Sequence, residues 1–151
     1  MIKFESTLTT FTEVPDEISF CINCTCCPLR CKGCFEPWLQ ENTGKELTIE
    51  KLDNLIQTHK YCTCICFMGG INDYHYLLLL LMHIKQNYPT LKTALYSGEN
   101  IISSIVSNYL DYYKIGPYIE EFGPLNKKTT NQKFFKKENN NWVDITYKFQ
   151  K

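Results

Sequence analysis

The sequence predicts an α/β protein: a partial, open βα barrel carrying a parallel sheet. Three observations carry that expectation. Strand-like segments alternate with helix-like ones, the pattern of consecutive βα units. Each strand candidate runs into a loop with small residues: the cysteine loop, Gly69-Gly70, or Ser97-Gly98. And 151 residues fall well short of the about 250 that a closed eight-fold barrel takes, so the chain can build only part of one. A single domain over residues 1–151 accommodates this, with a cluster loop at 25–37 and a tail from 126 to 151 covering the sheet edge.

Taken in order, Lys3 to Phe11 alternates bulky and small residues and reads as an edge strand. Glu17 to Asn23 (EISFCIN) is bulkier and reads as a buried strand entering the cysteine loop. Thr48 is a helix-cap candidate, followed by Ile49, Leu52, Leu55 and Ile56 on one helical face. Tyr61 to Met68 (YCTCICFM) is a second strand, in which Cys62, Cys64 and Cys66 alternate and share a face. Tyr74 to Asn87 is a helix, stopped before Pro89. Leu91 to Tyr96 is a third strand. Ile101, Ile102, Ile105, Val106 and Leu110 form another helical face, and Tyr112 to Ile115 a fourth strand. In the tail, Lys127, Lys128, Lys133, Lys136 and Lys137 cluster, and Asn139-Asn140-Asn141 reads as the turn of a solvated hairpin.

The totals exclude some functions. Lysine plus arginine equals aspartate plus glutamate at 16 each, so the broad positive field of nucleic-acid binders is missing, and no groove-reading motif appears. The longest apolar run, Leu77 to Met82, is far shorter than the ~20 residues of a membrane span. No signal peptide is visible, so the nine cysteines imply a reducing, cytoplasmic setting where metal or redox chemistry outweighs disulfides. No Walker loop or Ser/His/Asp signature is present, and His59, His75 and His83 are scattered without ligand spacing.

The chemical signal is Cys21 to Cys34 (CINCTCCPLRCKGC). Three readings compete. Cys27, Cys31 and Cys34 can hold three irons of a four-iron cluster and leave the fourth open. Cys21, Cys24, Cys27 and Cys31 match a bacterial ferredoxin run, with Lys32 in place of the usual proline. Zinc could use the pairs Cys24/Cys27 and Cys31/Cys34, but these lie far closer together than the usual ~15–20 residues. The ferredoxin run requires Cys21 and Cys24 in a loop although they fall in a buried-strand pattern, and it leaves Cys34 unused. The tripod is favoured. Cys21, Cys24, Cys26 and the Cys62/64/66 set read as small buried side chains.

CPLRCKGCF resembles the cluster loop of radical S-adenosylmethionine enzymes, and the likeness extends from about residue 13 to 147. Gly33 before the last cysteine and Phe35 after it, Phe67-Met68-Gly69-Gly70, Leu95-Tyr96-Ser97-Gly98, Leu125, Lys127, Thr129 to Lys133 (TTNQK) and Trp142 are similar to the glycyl-radical activating enzymes of anaerobic ribonucleoside-triphosphate reductases. The resemblance implies a radical S-adenosylmethionine-type barrel and a [4Fe–4S] cluster on Cys27, Cys31 and Cys34, with S-adenosylmethionine chelated at the open iron. It further implies cofactor contacts from Gly33, Phe35, Gly69, Gly70 and Ser97, with Phe35 near the adenine and Gly69-Gly70 at the amino group. The implied partners are a glycyl-radical enzyme and a low-potential electron donor such as flavodoxin. The sequence departs from that pattern at Val14-Pro15-Asp16-Glu17, where Gly-Pro-Gly is usual. It departs again at Ile71, where an acid is expected, and at Lys127-Lys128, which replace Arg-Gly. A radical enzyme acting on a small molecule, such as a deazapurine synthase, and a ferredoxin-like electron-transfer module are the alternatives.

Overall fold

The computed structural model describes residues 1–150. Its frame is one eight-stranded mixed sheet in the order β3-β1-β2-β4-β5-β6-β7-β8. The strands are β1 (Lys3–Thr10), β2 (Ser19–Cys24), β3 (Lys45–Glu46), β4 (Cys64–Met68), β5 (Lys92–Tyr96), β6 (Tyr112–Ile115), β7 (Lys133–Glu138) and β8 (Asn141–Asp144). The four central strands β2, β4, β5 and β6 run parallel. The outer strands pair antiparallel: β3 and β1 on one side, β7 and β8 on the other. The sheet is thus parallel only in its middle, and the strand order leaves β3 and β8 as its two edges.

Period-2 alternation sorts the side chains of the central strands. Phe20, Ile22, Ile65, Phe67 and Leu95 face helices α1 (Ile49–Thr58) and α2 (Tyr74–Asn87), meeting Leu52, Ile56, Leu77, Leu80, Leu81 and Ile84 in the larger core. Thr48 caps α1 by accepting from the Lys51 amide at 3.1 Å, and Asp73 caps α2 by accepting from the Tyr76 amide at 3.0 Å. The opposite face carries Cys21, Cys64, Cys66, Ala94 and Tyr112, covered by Val14 from the β1–β2 connection and by Leu125, Phe134 and Ile145 from the tail.

Two expectations require correction. The helical face over residues 101–110 becomes only α3 (Ser104–Ser107). Ile101 and Ile105 are exposed, so their spacing buries nothing, and only Val106 and Leu110 reach the core. Nor do Cys62, Cys64 and Cys66 share a face. Cys62 lies before β4, in a turn where its amide donates to the His59 carbonyl at 3.0 Å, and it packs in the helix-side core.

The tail hairpin forms on the edge beside β6, with Asn139 (φ 50°) and Asn140 (φ 63°) in the left-handed conformation of a tight two-residue turn. Asp16 also has positive φ, 67°. Aspartate is one of the few residues besides glycine that tolerate that conformation. Lys148 donates to its carboxylate at 2.8 Å, which holds the Asp16 carboxyl below its usual range.

Candidate functional site

The parallel strands all point their carboxyl ends to one rim, and the loops leaving them meet there, where α/β sheets bind ligands. The cysteine loop leaves β2 and is anchored by backbone bonds: the Cys26 amide donates to Glu41 and the Cys27 amide to Leu39, each at 3.0 Å. Between these anchors and a 3-10 turn at Pro37–Gln40, the chain folds over tightly enough for the Cys34 amide to donate to the Cys31 carbonyl at 3.2 Å.

Under this loop lies a cavity of about 580 Å³, within the size range of small-molecule sites. Cys27, Cys31, Cys34, Phe35, Gly69, Gly70 and Ser97 all border it, drawn from three separate loops. Gly33 does not. Its φ of 76° is left-handed, and a Cβ there would press on the Glu120 carboxyl carbon at 3.2 Å, so its place is to let the loop turn. Gly69-Gly70 is required for close approach. A Cβ at Gly70 would collide with Cys27 Sγ, and one at Gly69 (φ 90°) with the Cys24 carbonyl.

Phe35 is 66% exposed and rests against Tyr118 with ring centroids 4.9 Å apart. It stands at the cavity mouth rather than in the core. Ser97 is 1% exposed, and its hydroxyl is already engaged, accepting from the Glu99 amide at 3.0 Å and sharing a hydrogen bond with the Tyr74 hydroxyl at 3.0 Å. Ile71 is buried in the helix-side core and Asp73 caps α2, so neither offers a carboxylate to the cavity.

The remaining cysteines divide cleanly. Cys21, Cys24, Cys64 and Cys66 are buried. Burial pushes the Cys24 thiol up to about 12, and the Cys64 and Cys66 thiols well above the usual 9.0. Thiols kept protonated are poor metal ligands. Cys26, partly buried, points its thiol at the Asn42 carbonyl oxygen, 3.4 Å away. Among the described residues no three His, Cys, Asp or Glu side chains converge closely enough for a single metal ion. A four-iron cluster asks for something else, because each of its thiolates takes a different iron.

Two further side chains stand on the cavity wall: Lys114, which sequence reasoning missed, and Gln132, which the resemblance alone placed near the site. Lys114, from β6, is 9% exposed, and burial brings its amine down to about 8, with the charges of Cys31 and Cys34 acting in the opposite sense. Gln132, from the tail, is 6% exposed. The signal for Lys114 was its alternation with Tyr112 on a short strand, which places it on the cysteine face. Gln132 lay in the TTNQK segment, but nothing in residue pattern alone brings that segment to the rim. The tail therefore does more than cover an edge, since Gln132 and Phe149, with Leu125 just before it, close one side of the cavity.

Three partly exposed thiols of one loop and the buried Lys114 thus border one small-molecule-sized cavity. Residues 18–141 match the family described as a 4Fe-4S single cluster domain, and the chain belongs to that family: it is an iron–sulfur protein. No curated protein and no solved structure matches it. Among the described residues no helix is long and apolar enough to cross a membrane.

Proposed function

We propose that this iron–sulfur protein is a radical S-adenosylmethionine enzyme of the glycyl-radical activating class, acting in the cytoplasm on an anaerobic ribonucleoside-triphosphate reductase. One observation carries the reading: Cys27, Cys31 and Cys34 border the same cavity as the glycine pair after β4 and the Ser-Gly after β5. An electron-transfer module needs no such cavity beside its ligands. The partial-barrel fold belongs to the same proposal, supported by four parallel strands whose carboxyl-end loops share the rim.

In this reading Cys27, Cys31 and Cys34 hold three irons and leave one open. The reduced cluster and S-adenosylmethionine, when bound, would supply radical chemistry that releases methionine and is directed at a C–H bond of a glycine of the partner. The protein's work is placement and exclusion of water. Gly69 and Gly70 keep the β4 loop close against the cysteine loop and present bare backbone to the cofactor's amino group. Phe35, propped by Tyr118, flanks the adenine. Because its hydroxyl is engaged, Ser97 contributes its backbone and fixes Tyr74. Gly33 acts through the turn it permits. The electron comes from a low-potential donor protein such as flavodoxin.

The test is anaerobic reconstitution, dithionite reduction and assay for 5′-deoxyadenosine. Cleavage is expected; a full cluster that leaves S-adenosylmethionine intact sinks the reading. Mixing with the reductase should then give a glycyl electron-spin-resonance doublet, and cleavage without the doublet would redirect the search to small-molecule substrates.

A further inference from the structure

Lys114 is a buried cation without a countercharge. Among the described residues no carboxylate lies within ion-pair reach of it; Glu13 and Glu36 border the same cavity but do not pair with it. Two of its three N–H groups donate to the Ser97 carbonyl at 3.3 Å and the Gly116 carbonyl at 3.1 Å. No side chain accepts from the third. Gln132 donates from Nε2 to the same Gly116 carbonyl at 3.3 Å and so steadies the acceptor that holds the ammonium. Burying an unpaired ammonium is costly, and the neighbouring positions on this face, Ala94, Tyr112 and Phe134, show that an uncharged residue would pack there. The groups that would bring negative charge into the cavity on binding metal are Cys31 and Cys34, which border it with Lys114.

We propose that Lys114 supplies the positive charge that balances the thiolate-bound metal group of the cysteine loop and thereby sets its reduction potential. The inference rests on the reading of Cys27, Cys31 and Cys34 as ligands. Accepting one electron from an external donor makes a thiolate-bound cluster more negative by one charge. A nearby ammonium therefore stabilises the reduced form more than the oxidised form. Lys114 is 9% exposed, so its charge is screened less than that of a surface ammonium and the difference is larger. Lys114 is a tuning residue and Gln132 a positioning one.

The experiment compares wild type, Lys114→Met, Lys114→Gln and Lys114→Arg, all full-length and reconstituted anaerobically. Iron and sulfide are measured first. The cluster is then poised at a series of potentials without S-adenosylmethionine, and the reduced fraction is read by electron-spin resonance. At a fixed potential, Lys114→Met should lower the reduced-to-oxidised ratio at least tenfold, a midpoint shift of ~59 mV for a one-electron couple. Lys114→Arg should recover most of that shift. A midpoint in Lys114→Met within about twofold of wild type in that ratio, at full iron content, overturns the proposal. If Lys114→Met does not load, Lys114→Gln, which keeps a donor for the two carbonyls, is judged by the same threshold. Should neither uncharged variant load, normal loading by Lys114→Arg supports the charge balance, and failure of Lys114→Arg as well overturns it. Because S-adenosylmethionine cleavage is scored separately on wild type, failure of the functional reading and failure of this one are told apart.

Discussion

The two populations of cysteine in this chain meet opposite surroundings. Cys27, Cys31 and Cys34 stand on a loop, partly exposed, at the edge of a cavity. Cys21, Cys64 and Cys66 stand on strands of the same sheet face, fully buried among Ala94, Tyr112 and Phe134. Desolvation pushes the Cys64 and Cys66 thiols well above their usual range and keeps them protonated. Backbone placement, and not side-chain identity, separates the accessible thiols from the buried ones. In β2 an odd-numbered step turns a side chain from the helix core (Cys24) toward the opposite face (Cys21, three positions earlier).

The sharpest way to break this comparison is to remove one cysteine from each population. Cys34→Ala should abolish the four-iron absorbance after anaerobic reconstitution, whereas Cys21→Ala should leave it nearly intact. The reverse pattern would favour the ferredoxin run. A smaller effect is expected from Gly70→Ala, whose methyl would displace Cys27 Sγ. Iron content should fall roughly tenfold or more, the equivalent of about 1.4 kcal/mol, while the circular-dichroism spectrum of the apoprotein is unchanged. Normal loading would mean that the loop yields easily and that the glycine pair is an ordinary turn.

The third test concerns the buried population alone. The thiols of Cys24, Cys64 and Cys66 titrate well above 9.0 in the folded chain, Cys24 at about 12. In the unfolded chain they release protons near 9. Above that pH the folded state binds more protons than the unfolded one, so stability is fully present below pH 9 and declines as pH rises toward 12. Each such thiol contributes up to about 1.4 kcal/mol per pH unit to the decline. Denaturant midpoints between pH 8 and 10.5 check this, and the Cys64→Ala/Cys66→Ala pair should flatten the slope. An unchanged slope would place those thiols in contact with water.

Much of this was legible in the residues. Helix α2 occupies Tyr74–Asn87 as its apolar spacing and Pro89 require, and Thr48 caps α1. The three glycine-bearing loops meet on one rim because parallel strands leave no other arrangement. What was illegible depends on three-dimensional context. Ile101 and Ile105 have helical spacing but no surface to bury against. The Cys62 step off the strand is set by the His59 turn. The antiparallel edges follow from the pairing of β1 with β2 and of β7 with β6, and the latter carries Gln132 to the cavity; no local pattern encodes either pairing.

That last feature has a consequence for how the protein is made. The cavity takes walls from Cys27 and from Phe149, from opposite ends of the chain. During synthesis the cysteine loop emerges early, while the strand that carries Phe134 and the segments bearing Gln132 and Phe149 emerge last. A partly made chain therefore displays its thiols with no enclosure around them and no Gln132 to steady the Gly116 carbonyl that holds Lys114. The pocket is walled only once Gln132 and Phe149 are in place. A chain cut short before them is left with bare thiols and an unfinished pocket.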